Sequence, residues 1–171
     1  MSKRKNRARN VGHVPPQPTA VILPMEKPQK PLVKYSVSMV PMELLGSEAL
    51  FNEFAPFLQM GCAESRDRYT PQWLWMMAMK DEMQIWAVLA GNKPAGVFVT
   101  TTQLYPATGL HVVQVIILGG DGILAAHGRI REALIAFKEL RGCHRVEWVG
   151  REGLARLWPG SERIGIACEV E

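Results

Sequence analysis

Residues 110–122 read LHVVQVIILGGDG, and this stretch decides the fold. Seven of the nine residues from Leu110 to Leu118 are apolar, which is typical of a central strand covered on both faces. The glycines after Leu118 end the strand. A helix is predicted to begin near Ile123 with Asp121 as its N-cap, because one stripe of the following residues is apolar at helical spacing: Ile123, His127, Ile130, Leu134 and Phe137.

Strands and helices are predicted on both sides of this segment. Upstream we expect a strand at 33–40, a helix at 48–60 ended by Gly61, a helix starting at Thr70 and Pro71, and strands at 84–90 and 95–102. Downstream, Gly142 ends the long helix, and a strand at 144–149, a short helix at 153–157 and a strand at 163–170 follow. The order β-α-α-β-β-β-α-β-α-β predicts an α/β (α+β) domain.

Composition is that of one ordinary globular domain. The chain has 171 residues, of which 47% are hydrophobic and 21% charged. The apolar stretch near the N-terminus, 19–25, is interrupted by Pro24 and too short for a signal peptide, so we expect a cytoplasmic protein without membrane contact. The three cysteines show no CxxC spacing, and Cys143 beside His144 is the sole Cys/His adjacency, so no metal site is predicted.

Residues 1–31 differ in composition from residues 32–171. We assign residues 32–171 to the folded domain. Six of the twelve prolines fall in this first segment, which predicts a disordered tail or an extended arm. Residues 1–34 carry eight basic side chains and Glu26 alone as an acid, a net charge of +7, while the remainder carries −3. Two interpretations stay open: a solvated tail, or an arm that binds nucleic acid or an acidic protein.

Four strings, taken with the element order, carry a resemblance to a known superfamily. They are QIWAV (84–88), VFVTTTQLYP (97–106), VIILGGDG (115–122) and RGCHRVEWVGREGLARL (141–157). The chain resembles the small GNAT-like proteins (Gcn5-related N-acetyltransferase superfamily) that bacteriophages and prophages encode. The resemblance implies a mixed, mostly antiparallel central sheet flanked by helices, and an acyl-CoA bound where the fourth and fifth strands splay apart.

In that superfamily the loop after the fourth strand and the next helix N-terminus face the cofactor's pyrophosphate. The resemblance therefore implies acetyl-CoA as the cofactor, with its site at Leu118, Gly119, Gly120, Asp121, Gly122 and Ile123. Two departures stand out, because no Arg or Gln opens this loop and Asp121 adds a negative charge beside the expected anion. A tight strand-to-helix turn is an equally open interpretation of Gly119 and Gly120.

The chemistry of acetyl transfer needs a base and an acid. On the predicted fourth strand His111 is the titratable candidate, and Glu147 on the next strand is the second catalytic candidate; a surface role for His111 stays open. On the short helix, where the superfamily often has a tyrosine acid, this chain has Trp158, which cannot donate a proton as an acid. In the helix after Thr70, Trp73 and Trp75 lie two residues apart, so both cannot face inward.

These features predict a phage-type GNAT-fold protein that binds acyl-CoA, whose N-acetyltransferase activity is residual or lost, and whose basic tail docks to nucleic acid or another virion or phage protein. The alternative is an active acetyl-CoA-dependent N-acetyltransferase of a small-molecule or protein amine. The expected location is the host cytoplasm or the virion.

Overall fold

The computed structural model describes residues 33–65, 68–148 and 158. Five strands form one sheet in the order β1-β2-β3-β4-β5: β1 Tyr35–Met39, β2 Gln84–Ala90, β3 Lys93–Tyr105, β4 Leu110–Gly119 and β5 Arg145–Trp148. The first four pair antiparallel, and β4 pairs parallel with β5. Three α-helices accompany them, α1 Glu48–Glu64, α2 Pro71–Met79 and α3 His127–Leu140, with a short 3-10 helix at Met42–Leu44.

The predicted fold class and element order are confirmed as far as β5. The sheet is mixed and mostly antiparallel, and helices pack on it as predicted. The short helix at 153–157 and the strand at 163–170 lie outside the described residues, as do the tail at 1–31 and its boundary with the domain. Within the described part of the chain, no helix combines the length and the apolar character needed to span a bilayer.

Alternation along the strands divides the core into two layers. In β2, Ile85 and Ala87 face α1 and α2, whereas Trp86 and Val88 face α3. Such alternation follows from the two-residue period of a strand, and it lets one sheet bury both faces. Because α1 packs on one face of β4 and α3 on the other, the prediction that this strand is internal and covered on both sides is confirmed.

Helix α2 begins as its sequence predicts. The Thr70 hydroxyl accepts a hydrogen bond from the Trp73 N–H, and Pro71 occupies the first turn. Trp75 is buried and its indole N–H donates to the Leu45 carbonyl at 2.7 Å, while Trp73 is 36% exposed and stacks on Tyr69. The prediction that the two tryptophans cannot both face inward is therefore confirmed.

The prediction that Gly61 ends the first helix is wrong. Helix α1 runs on to Glu64, and Gly61 is buried inside it against β4. A Cβ at Gly61 would lie 2.9 Å from the Ile117 Cδ1 atom, so the missing side chain is what allows the helix to approach the strand. Two signals compete at a helical glycine, termination and close packing, and here packing prevails.

Gly119 is the tightest point of the same contact. A Cβ there would collide with the backbone carbonyl of Phe57 in α1, and it would lie 2.7 Å from the Gly61 nitrogen. Backbone atoms cannot rotate out of the way as a flexible side chain can. The end of β4 and the middle of α1 are therefore held in contact by two glycines that face each other.

We predict that Gly119→Ala lowers the free energy of unfolding by about 3 kcal/mol or more, because over-packing against backbone leaves no room to relax. Urea unfolding followed by tryptophan fluorescence measures the change. Gly46→Ala is the matched control, since a Cβ at Gly46 meets nothing within 4 Å, and we expect a change below about 1 kcal/mol. Equal stability of the two variants would contradict the packing argument.

Candidate functional site

The described residues of β5 pair with the middle of β4. The described pairs run from Val112 with Arg145 to Val115 with Trp148. Strand β4 continues for four more residues, Ile116–Gly119, of which the last three pair with β3 on the other side. Within the described residues, the β5 side of these four residues has no strand partner. Residues 149–157, which follow β5 along the chain, lie outside the described part of the chain.

A β-bulge lies at the point where this pairing ends. Val115 pairs with Thr100 and Ile117 pairs with Val99, so Ile116 is an extra residue without a partner in β3. A bulge bends its strand and increases the local twist. As a result Ile116 and Ile117 both pack against the core layer of α1.

The predicted cofactor residues, 118–123, form one continuous turn, but its glycines are committed to packing. Cβ atoms at Gly120 and Gly122 would collide with the chain at Ala95 and Gly96 in β3, and the Gly122 N–H donates to the Ala95 carbonyl. Gly120 also has φ +118°, which favours glycine. Leu118 packs towards α3, Ile123 is buried and Asp121 is exposed. The turn is thus fully explained as a strand-to-helix connection.

The prediction that a helix begins near Ile123 with Asp121 as its cap is wrong. Residues 121–126 form turns, α3 begins at His127, and its N-cap is Ala126, whose side chain makes no capping bond. The apolar stripe is real, but its first member, Ile123, reaches the core from the turn. Because periodicity does not distinguish consecutive turns from a first helical turn, the start was placed four residues early.

The first turn of α3 is the part of this region that exposes donors. Its first backbone bond within the helix is donated by the Ile130 N–H to the Ala126 carbonyl, so the N–H groups of residues 127–129 precede the hydrogen-bonded ladder. Gly128 is exposed, and a Cβ there would meet nothing within 4 Å. A helix start of this kind favours an anion.

The two predicted catalytic residues do not lie together. Glu147 pairs with Gln114, and His111 precedes Gln114 by three residues, so the register points His111 and Glu147 to opposite faces of the sheet. His111 is occupied at its backbone: its N–H donates to His144 Nδ1 at 3.0 Å, and its carbonyl accepts from the His144 N–H at 2.7 Å. Whether either residue acts in catalysis stays a prediction.

Glu147 is a buried carboxylate with two side-chain partners that the sequence reasoning missed. The residue is 9% exposed. Its Oε1 accepts from Arg145, with the guanidinium nitrogens at 2.6 and 2.7 Å, and its Oε2 lies 3.4 Å from the Tyr105 hydroxyl. Arg145 stands two residues away on the same strand, a spacing that signals a shared face. Tyr105 could not be paired with Glu147 without knowing the strand register.

Trp158 belongs to the core. It is buried, its ring packs edge-on against Trp148 with centroids 4.7 Å apart, and its indole N–H donates to the His127 carbonyl at 3.3 Å. A neutral indole held in this way offers no acid to a substrate.

Cys143 and His144 show no sign of a metal site. Burial raises the pKa of the Cys143 thiol, with Arg141 acting in the opposite direction, and a metal ligand must be a thiolate. Nowhere in the described residues do three or more potential ligand side chains of Cys, His, Asp or Glu cluster.

Solved structures share this architecture. An aminoglycoside acetyltransferase from an uncultured soil metagenomic sample, solved with sisomicin, superimposes with a TM-score of 0.58 at 12% identity, covering 80% of this chain and 95% of its own. A GNAT family acetyltransferase of Staphylococcus aureus gives 0.53 at 10% identity (80% and 98% covered). A predicted acetyltransferase of Clostridium acetobutylicum, solved with acetyl-CoA, gives 0.54 at 13% identity (81% and 96% covered). The chain has the GNAT fold.

No family model and no curated protein matches the sequence. At these identities the structural likeness establishes the fold alone. The functional interpretation of the GNAT fold in this protein therefore depends on its own residues at the end of β4, the start of α3 and the face that carries Glu147.

We predict that Arg145→Gln lowers the free energy of unfolding by about 1–3 kcal/mol, because it leaves the buried Glu147 carboxylate without its cation. The matched control is Arg129→Gln, which breaks the 2.8 Å pair with Glu132, in which both side chains are mostly exposed. Such surface pairs contribute little, so we expect a loss below about 0.5 kcal/mol. Urea unfolding measures both, and similar losses would contradict the distinction.

Proposed function

We propose that this protein binds acyl-CoA at the splay between β4 and β5 and retains a residual N-acetyltransferase activity towards an amine. The observation that supports the proposal is the β-bulge at Ile116, after which β4 leads through the turn at 120–126 to the start of α3. One neighbour with this fold was solved with acetyl-CoA, which supports the choice of cofactor.

The residues present fit such a cofactor. In this proposal the backbone groups of Ile116–Gly119 on the side away from β3 bind the amides of a pantetheine arm, and the N–H groups of residues 127–129 offer donors to the diphosphate. Acetyl-CoA, when bound, supplies an acetyl group activated as a thioester. In this proposal the anion is received by the first turn of α3 and only secondarily by the turn at Gly119–Gly122, whose glycines serve packing.

Asp121 weakens this anion site without abolishing it. Its side chain is exposed, and two unit charges 4 Å apart in water interact by only about 1 kcal/mol. A helix N-terminus contributes a favourable term of similar size, about 0.3–1 kcal/mol and up to about 2 when partly buried. Because the repulsion from Asp121 and the attraction of the helix N-terminus are of similar size, we expect the diphosphate to bind, but more weakly than it would without the Asp121 carboxylate.

We predict that acetyl-CoA at a hundred times its dissociation constant stabilises the protein by about 2.7 kcal/mol, seen as a rise in melting temperature. Gly128→Glu should weaken binding at least tenfold, because its carboxylate occupies the anion's place, while a negative charge at a helix start does not destabilise the fold. Gly46→Glu, in a similarly open position just before α1, should bind normally. No shift with the unaltered protein at millimolar acetyl-CoA would refute the proposal.

The rate of acetyl transfer should be low. A positioned acid or base contributes about 10²–10⁴-fold to a rate, and Trp158 cannot supply the acid. Against a median turnover of about 10 per second, we expect about 0.001–0.1 per second. Thiol release from acetyl-CoA with glucosamine, spermidine and lysine as acceptors measures it. Turnover near 10 per second would show that another group supplies the proton, and turnover equal to the uncatalysed reaction would show that activity is lost.

The role of the basic N-terminal segment remains a proposal from sequence, as does the affiliation with phage-encoded proteins. Residues 1–31 lie outside the described part of the chain, and the net charge of +7 over residues 1–34 is what favours nucleic acid or an acidic protein as partner. Removal of residues 1–31 should abolish retention on DNA, and retention that does not fall as salt is raised would exclude simple phosphate contacts.

A further inference from the structure

The face of the sheet that α1 and α2 pack against carries a polar group near the splay. By register, Thr101, Gln114 and Glu147 form one row across β3, β4 and β5, and Gln103, Val112 and Arg145 form the next row on the same face. Tyr105 follows Gln103 by two residues and so shares this face. Gln114 is half-buried and Gln103 is exposed. Ile116, the bulged residue of β4, is two residues beyond Gln114.

Glu147 keeps unused acceptor capacity. Arg145 satisfies Oε1 with two short contacts, whereas the Tyr105 hydroxyl at 3.4 Å is the one partner of Oε2 among the described residues. A hydroxyl bound to a carboxylate normally lies at about 2.5–2.7 Å, so this contact is long. A carboxylate oxygen that is buried and poorly bonded is costly, which is a reason to look for a ligand there.

The gap between these two oxygens suits an ammonium nitrogen. Charge-assisted N–H···O distances are about 2.7–2.9 Å. A nitrogen at that distance from both Glu147 Oε2 and the Tyr105 oxygen completes a triangle with their 3.4 Å separation, so this separation is compatible with one nitrogen bound to both. Because Arg145 binds Oε1, it leaves Oε2 as the oxygen open to this nitrogen.

The surroundings favour a polar amine. The side-chain amides of Gln103 and Gln114 have no hydrogen-bond partner among the described residues, although both stand on this face. Unused amide groups beside a carboxylate match a molecule that carries hydroxyl or amide groups around its ammonium. Thr101 is not part of this set, because its hydroxyl already donates to the Glu82 carbonyl.

We propose that Glu147 and Tyr105 bind the ammonium group of the acetyl acceptor and that Gln103 and Gln114 select acceptors with neighbouring hydrogen-bonding groups. The inference rests on the proposed acetyltransferase function, and it names the substrate class as small, polar primary amines. Glu147 thereby has a binding role that does not require it to be the base.

Two probes with one ammonium on a six-membered ring test this class: glucosamine, which carries hydroxyls, and cyclohexylamine, which carries none. Binding to the full-length protein is measured by saturation-transfer NMR, with no cofactor present. We expect glucosamine to bind at least fivefold more tightly than cyclohexylamine. Equal binding of the two would overturn the role of the glutamines, and failure of both to bind would overturn the site.

Variants separate this site from the cofactor site. Glu147→Gln should weaken glucosamine binding at least tenfold, and Tyr105→Phe should weaken it about threefold. In both variants the affinity for acetyl-CoA should stay within twofold of that of the unaltered protein. Glu132→Gln, which also removes a carboxylate paired with arginine, is the control and should change neither. Tyr105→Phe keeps the test decisive if Glu147→Gln does not fold. Unchanged glucosamine binding in a folded variant would overturn the proposal, whereas loss of acetyl-CoA binding in the unaltered protein would overturn only the proposed function.

Discussion

The structure depends on the close approach of α1 to the end of β4. Gly61 in the helix and Gly119 in the strand face each other, and neither position has room for a Cβ atom. This contact fixes where β4 leaves the sheet, and the collision of Gly120 and Gly122 with the start of β3 fixes the path of the turn that follows. The direction in which α3 starts, and hence any anion site at its first turn, follows from backbone packing and does not require a ligand.

The interior of the fold could be predicted from the sequence because apolar residues recur regularly in strands and helices where both faces of the sheet are buried. Strand β2 was predicted with its observed bounds, and β4 was recognised as internal from its apolar run. The errors lie where one residue type has two uses. Gly61 was assigned to helix termination when it serves packing, and Asp121 was assigned to capping when its segment forms turns. Only the neighbours in space decide such cases.

The candidate site was less predictable, since it depends on register. Chemical type and strand position suggested both His111 and Glu147. Glu147 pairs with Gln114, which is three residues from His111, and because this number is odd the two side chains point to opposite faces of the sheet. Tyr105, forty-two residues from Glu147, was not identified at all. A one-residue slip in the pairing of β3 with β4 would have reversed its direction.

Burial distinguishes the group of Glu147, Arg145 and Tyr105 from an ordinary surface ion pair. Exposed ion pairs such as that of Arg129 and Glu132 contribute little and carry no functional information, because water competes with each partner. At Glu147, water is largely excluded, so each oxygen must find its partner in the protein or in a ligand. Among the described residues, Arg145 meets this need for one oxygen, and Tyr105 meets it weakly for the other. The asymmetry between the two oxygens, together with the bulge two residues beyond Gln114 on β4, is the basis on which we propose this face as the acceptor site.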